Sequence, residues 1–179
     1  MLEKKVNWVD TTKVWVFSYL GNLIGSVLVA LLYAYSGLAN GGVADFINNA
    51  ATAKMNAPFM ELLVRGILCN ILVCLALWCS FKMKSESGKL IMVFWCLFAF
   101  ITSGFEHSIA NMTLLSISLL IKHPETVTLA GMISNLVPVT LGNMIGGSLF
   151  VGVAYWVSSS DAKKNKSSNT RVNDNKIAS

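Results

Sequence analysis

The chain has 179 residues, 54% of them hydrophobic and only 13% charged, with a net charge of +5 and a mean hydropathy of +0.60. A soluble domain carries roughly 25% charged residues, so that class is excluded and the chain reads as an integral membrane protein. The basic residues gather at the ends of the apolar runs, so they report topology rather than a nucleic-acid surface.

Residues 1–13 form a lead-in containing Lys4, Lys5 and Lys13. No signal peptide is expected. The first apolar run starts after Lys13, exceeds the length of a signal core and has no small-residue cleavage pattern behind it. A spanning helix needs roughly 20 apolar residues, and four stretches qualify: about Val14 to Leu38, Ala57 to Phe81, Leu90 to Ile121, and Thr128 to Val157. Lys82, Lys84 and Lys89 separate the second from the third, and five more basic residues follow the fourth. The positive-inside rule then places both termini in the cytoplasm. The loop from Ala39 to about Ala53 and the link from Lys122 to Val127 are expected outside. Residues 158–179, rich in Ser, Asn and Lys, are expected to be a disordered cytoplasmic tail. Cys69, Cys74 and Cys79 are five apart and spread around one helix, and Cys96 stands alone. That spacing predicts neither a metal site nor a disulfide, and no cofactor is expected.

The third stretch is longer than one straight crossing needs, and it contains Glu106-His107. Ionisable groups at membrane depth are expensive and mark sites. Thr102-Ser103-Gly104 just before the pair is small and helix-weakening, so a broken helix near Gly104 is expected, with Ser103, Gly104 and Glu106 supporting it. Glu106 points about 100° away from His107 if both are helical. It either accepts hydrogen bonds from backbone groups freed by the break or acts as a second proton carrier. Asn111 follows His107 by four residues and shares its face if the helix has resumed there, where it is placed to orient the imidazole. Asn70 is a similar polar group within the second span. Each of these asparagines either lines a pore or bonds helix to helix.

Leu20-Gly21-Asn22-Leu23-Ile24-Gly25 in the first span is echoed by Leu141-Gly142-Asn143-Met144-Ile145-Gly146 in the fourth. The two spans cross the membrane in opposite directions, which predicts an inverted-topology repeat. The glycines at this spacing predict close helix packing. Glu61 and Arg65 are expected to pair at i,i+4.

Several runs resemble the formate/nitrite transporter family of pentameric anion channels. Ser103-Gly104-Phe105-Glu106-His107-Ser108-Ile109-Ala110-Asn111-Met112 resembles that family's fifth-helix signature. The run from Asn135 to Gly147 resembles the sixth, Gly66 to Ala76 the fourth, and Leu20 to Ser26 the third. The resemblance implies an all-α, aquaporin-like bundle of six helices per subunit, with the second and fifth broken and one pore in each subunit. Only helices three to six have counterparts here, so two N-terminal helices and their pore loop are expected to be missing. The resemblance further implies His107 as the proton partner in mid-pore, Phe100 and Val73 as a constriction, and Lys54 as a charge attracting anions at the outer mouth.

The implied function is transport of small monovalent anions of weak acids, formate or nitrite and also hydrosulfide, by a homopentamer in the cell membrane. The alternative is a truncated, non-transporting membrane fragment or assembly subunit. An intramembrane enzyme is disfavoured, because neither a Gly-x-Ser-x-Gly turn nor a His-Glu-x-x-His site is present.

Overall fold

The computed structural model describes residues 7–159, and every regular element among them is helical. The expected tail falls outside these residues except for its first two positions, as do residues 1–6 of the lead-in. In chain order the elements are α1 (Trp8–Tyr35), α2 (Gly42–Met55), α3 (Phe59–Lys82), α4 (Glu86–Thr102), α5 (Ser108–Leu120) and α6 (Leu129–Ile145). The helix of α6 continues through π-helical turns over Gly146–Val153 and ends at Ser159. Three helices are long and apolar enough to cross a membrane: Trp8–Tyr35, Phe59–Lys82 and Leu129–Ser159. The third apolar stretch of the sequence is divided between α4 and α5, with the interruption where Gly104 and Glu106-His107 lie.

Helix starts follow local chemistry. Asn7 Oδ1 accepts the Asp10 amide at 2.7 Å ahead of α1, Ser85 Oγ accepts Gly88 N–H at 3.2 Å ahead of α4, and Thr128 Oγ1 accepts Gly131 N–H at 2.9 Å ahead of α6. Each side chain takes up one of the orphan donors of a first helical turn. The segment read as an external loop holds a helix, α2. Its Ile47, Asn48, Ala51 and Met55 are buried, and a four-residue apolar periodicity in a polar segment is too short to register as a span.

The core lies where α2, α5 and α6 meet. Ala51, Met55, Met112, Leu115, Val127, Met132 and Leu136 form one buried cluster, and Ala30, Ile47 and Ile117 form a smaller one beside α1. Outside this core the large apolar side chains face outward in number, among them Phe17, Leu32, Leu90, Phe94 and Ile101. A water-soluble surface does not carry apolar area on that scale. The molecule is a multi-pass membrane protein.

Helices α3 and α6 approach each other closely, and glycine makes it possible. A Cβ on Gly66 would lie 2.8 Å from the Val139 carbonyl oxygen. One on Gly142 would overlap the Leu63 carbonyl oxygen, and one on Gly146 that of Ile67. Backbone meets backbone here, as in small-residue membrane interfaces. The matching glycines of α1 behave otherwise: a Cβ on Gly21 or Gly25 would meet nothing within 4 Å. The expectation of close packing is thus met at Gly142 and Gly146, while the Cβ positions of Gly21 and Gly25 face open space among the described residues.

Gly142→Ala is expected to destabilise the detergent-solubilised protein by about 1–3 kcal/mol through overpacking. Gly21→Ala is expected to stay within about 1 kcal/mol of the parent. Thermal unfolding of the two variants side by side checks the contrast.

Candidate functional site

The site is built around the interruption between α4 and α5. Gly104 takes φ +71°, a left-handed conformation that glycine adopts without strain. Gly104 N–H bonds to the Ile101 carbonyl at 3.2 Å and Phe105 N–H to the Phe100 carbonyl at 3.0 Å. That pair of bonds is a Schellman closure, which ends α4 and satisfies its last carbonyls. Three residues later α5 begins, with His107 as its N-cap in an extended conformation.

The polar backbone freed between the two helices must find partners inside the protein, because lipid offers none. One side chain supplies most of them. Asn143 Oδ1, from α6, accepts Ser108 N–H at 3.0 Å. Asn143 Nδ2 donates to the Glu106 carbonyl at 3.0 Å and to the Gly66 carbonyl at 2.9 Å. Glu106 N–H donates to the Arg65 carbonyl at 3.3 Å. Asn70 Nδ2 in turn donates to the Asn143 carbonyl, and Gly147 leaves room for it, since a Cβ there would lie 2.7 Å from Asn70 Nδ2.

Glu106 is 3% exposed, and its carboxylate is spent on side chains. Lys54 Nζ donates to both of its oxygens at 2.8 Å, and Asn111 Nδ2 donates to Oε2. Asn111 Nδ2 also reaches Asn135 Oδ1 at 2.8 Å, and Asn135 Nδ2 donates to the Lys54 carbonyl at 3.0 Å. A buried carboxylate requires this paired and hydrogen-bonded setting.

Three expectations change accordingly. The freed backbone is bonded by Asn143, while Glu106 ties the break to the end of α2 through Lys54. Asn111 turns to Glu106 and Asn135, not to the imidazole: His107 is the extended N-cap of α5, so its side chain leaves the helical face even though its carbonyl accepts Asn111 N–H at 2.9 Å. Lys54 places its ammonium on Glu106, which cancels much of the long-range attraction expected of a free cation. The network of Lys54, Asn111, Asn135 and Asn143 was hidden from sequence reasoning. Its signal was the unusual number of asparagines in otherwise apolar helices.

His107 is left facing a different environment. Its Nδ1 lies 3.5 Å from Ala110 N, in the acceptor position of a helix N-cap. Its ring stacks on Phe100, with centroids 5.9 Å apart and an interplanar angle of 26°. His107 lines a cavity of about 780 Å³ together with Asn70, Val73, Tyr19, Thr140 and Asn143. Across the cavity wall, Tyr19 and Thr140 share a hydrogen bond between their hydroxyls at 3.2 Å. The structure therefore brings His107, Asn70 and Val73 to one cavity and sets Phe100 against the histidine. Lys54, Glu106 and Asn111 lie behind the break. Glu61 and Arg65 pair at 2.6 Å as their spacing predicted. Among the described residues no group of His, Cys, Asp and Glu could hold a metal ion.

Comparison with known proteins adds three findings. A family model described as formate/nitrite transporter matches residues 1–157. The chain is 48% identical to the uncharacterized transporter YwcJ of Bacillus subtilis (strain 168) over 89% of its own length and 63% of that protein. It is 47% identical to the nitrite transporter NirC of Escherichia coli (strain K12) over 82% of its length and 55% of that protein. It thus spans less than two thirds of these curated relatives. Among solved structures, a pentameric formate channel with formate bound superposes with a TM-score of 0.79 at 30% identity, covering 87% of this chain and 69% of the other.

Lys54→Met leaves the Glu106 carboxylate buried without a counter-charge. It is expected to destabilise the protein by about 2–4 kcal/mol, at the low end where the quarter-exposed lysine already feels solvent. Adding Glu106→Gln should recover most of the loss, because the amide oxygen still accepts from Asn111. Thermal unfolding of the single and double variants reads the coupling directly.

Proposed function

The chain belongs to the formate/nitrite transporter family, and from that premise we propose that it forms a pore wall for small monovalent anions of weak acids. The observation that carries the reading is His107: an imidazole at a helix break inside a membrane protein, lining a cavity, with Nδ1 in the acceptor position of its own helix's N-cap. In this reading Nε2–H is the ring's donor toward an arriving anion. A bare anion crossing an apolar constriction faces an idealised Born penalty of order 20 kcal/mol, and a neutral weak acid faces far less. A histidine titrates nearest physiological pH, so it can lend a proton to the anion or hold it by a hydrogen bond.

Formate and nitrite fit this chemistry and stand in the names of similar proteins. Hydrosulfide is a third anion of the same class. Val73 and Phe100 flank the histidine as the constriction. In this reading the echo between α1 and α6 reflects an aquaporin-like inverted repeat, with both termini cytoplasmic and four of six spans present here. Subunits assemble as homopentamers, each with its own pore, as in the pentameric formate channel it resembles. The role is transport and not enzymatic catalysis.

In a channel completed by the remaining helices, His107→Ala is expected to alter the dependence of formate or nitrite uptake on pH at normal protein levels. An unchanged pH profile would remove the proton-partner role. The 179-residue chain alone in liposomes is expected to show little or no flux. Robust, pH-dependent formate uptake by it would show that it needs no further helices, and a selectivity series on the completed channel would rank the anions.

A further inference from the structure

A hydroxyl inside an apolar helix ordinarily gives its hydrogen to a carbonyl one turn back. Thr102 does so toward Phe98 at 2.7 Å, and Ser80 toward Leu77 at 2.7 Å. Thr140 does not. Its Oγ1 turns out of α6 and meets the Tyr19 hydroxyl of α1 at 3.2 Å. The Tyr19 ring packs against the buried cluster of α2, α5 and α6, which fixes where its hydroxyl points. Two hydroxyls carry two hydrogens, and their mutual bond uses one. The other meets no acceptor among the described residues.

Both residues are half-buried and both line the cavity that His107 faces. Thr140 stands one turn of α6 from Asn143, on the same face. Asn143 in turn holds the backbone on either side of His107, at Glu106 and Ser108. The amides of Asn70 and Asn143 line the same cavity but are already bonded to backbone. The hydroxyl pair is therefore the polar group of this wall with a hydrogen to spare.

Once the mutual bond opens, the pair becomes a two-pronged donor. Two donors side by side suit an acceptor that carries two oxygens on one atom, as a carboxylate does. Each hydroxyl also accepts, so the pair equally serves the neutral acid, which brings one hydrogen and one bare oxygen. An anion with a single acceptor atom engages one prong and gains nothing from the second.

We propose that Tyr19 and Thr140 set the selectivity of the pore: they exchange their mutual hydrogen bond for two bonds to a two-oxygen anion such as formate or nitrite, and so favour it over a single-centre anion such as hydrosulfide. The inference rests on the channel reading and adds to it a residue pair and a ranking of permeants.

The test is uptake of formate, nitrite and hydrosulfide by liposomes carrying the channel completed by the remaining helices, with the rate of protein-free liposomes subtracted. Tyr19→Phe and Thr140→Val each remove one hydroxyl and keep the shape of the side chain. Each should slow formate and nitrite about tenfold, the scale of one hydrogen bond to a charged group, and change hydrosulfide less than about twofold, because one prong remains. The double variant should slow all three. Thr140→Ser keeps the hydroxyl and should keep the selectivity of the parent. The readout is the ratio of formate to hydrosulfide flux within one preparation, which does not depend on how much of a variant folds. An unchanged ratio in the single variants overturns the proposal and leaves the hydroxyl bond as a link between helices. If the unmodified channel passes no anion, the channel reading falls with it; unaltered ratios in a conducting channel overturn the selectivity pair alone.

Discussion

The structure depends on one constraint. A helix interrupted inside a bilayer frees backbone donors and acceptors that lipid cannot satisfy. Here the interruption is made affordable by a single carboxamide, Asn143, which has an acceptor for Ser108 N–H and two donor hydrogens for two carbonyls. Few side chains carry both functions on one rigid plane. The close α3–α6 crossing follows from the same need. Asn143 reaches the Gly66 carbonyl and the break together only because Gly66, Gly142 and Gly146 let the two backbones touch.

The remaining polar groups divide into two sides of the break. Behind it, Glu106, Lys54, Asn111 and Asn135 form a closed network in which each charge or amide is answered. In front of it, His107 stacks on Phe100 and lines the cavity. The adjacent Glu106 and His107 are thus separated by the extended backbone between α4 and α5, one turned to structure and the other to the cavity. A continuous helix would have held them 100° apart on one cylinder and could not have placed a buried ion pair on one side and an open space on the other.

Much of the fold was legible because membrane helices are written in long apolar runs, and Gly104 marks the break by its need for a left-handed φ. The pairing of Glu61 with Arg65 is a local, four-residue matter and was read from spacing alone. The partners of Glu106 were not legible, since Lys54, Asn111 and Asn135 converge from three helices and no spacing rule joins them. Helix α2 was missed for a related reason. Its burial comes from α5, α6 and the link between them, where Asn48 accepts from Ser118 Oγ of α5 and donates to the Lys122 carbonyl of the link, and its own composition reads as loop. The difference between the two Leu-Gly-Asn-x-Ile-Gly copies was also invisible in one dimension, because a motif does not state which neighbour it meets.

The grip of Asn143 on the break also sets an order of events during synthesis. The segment from Phe105 to Ser108 leaves the ribosome well before Asn143 does, so α4 and α5 enter the membrane region without the amide that completes them. Until α6 arrives, those backbone groups need water or the insertion machinery as a temporary partner. The interrupted segment therefore reaches its final state last, although it lies in the middle of the chain.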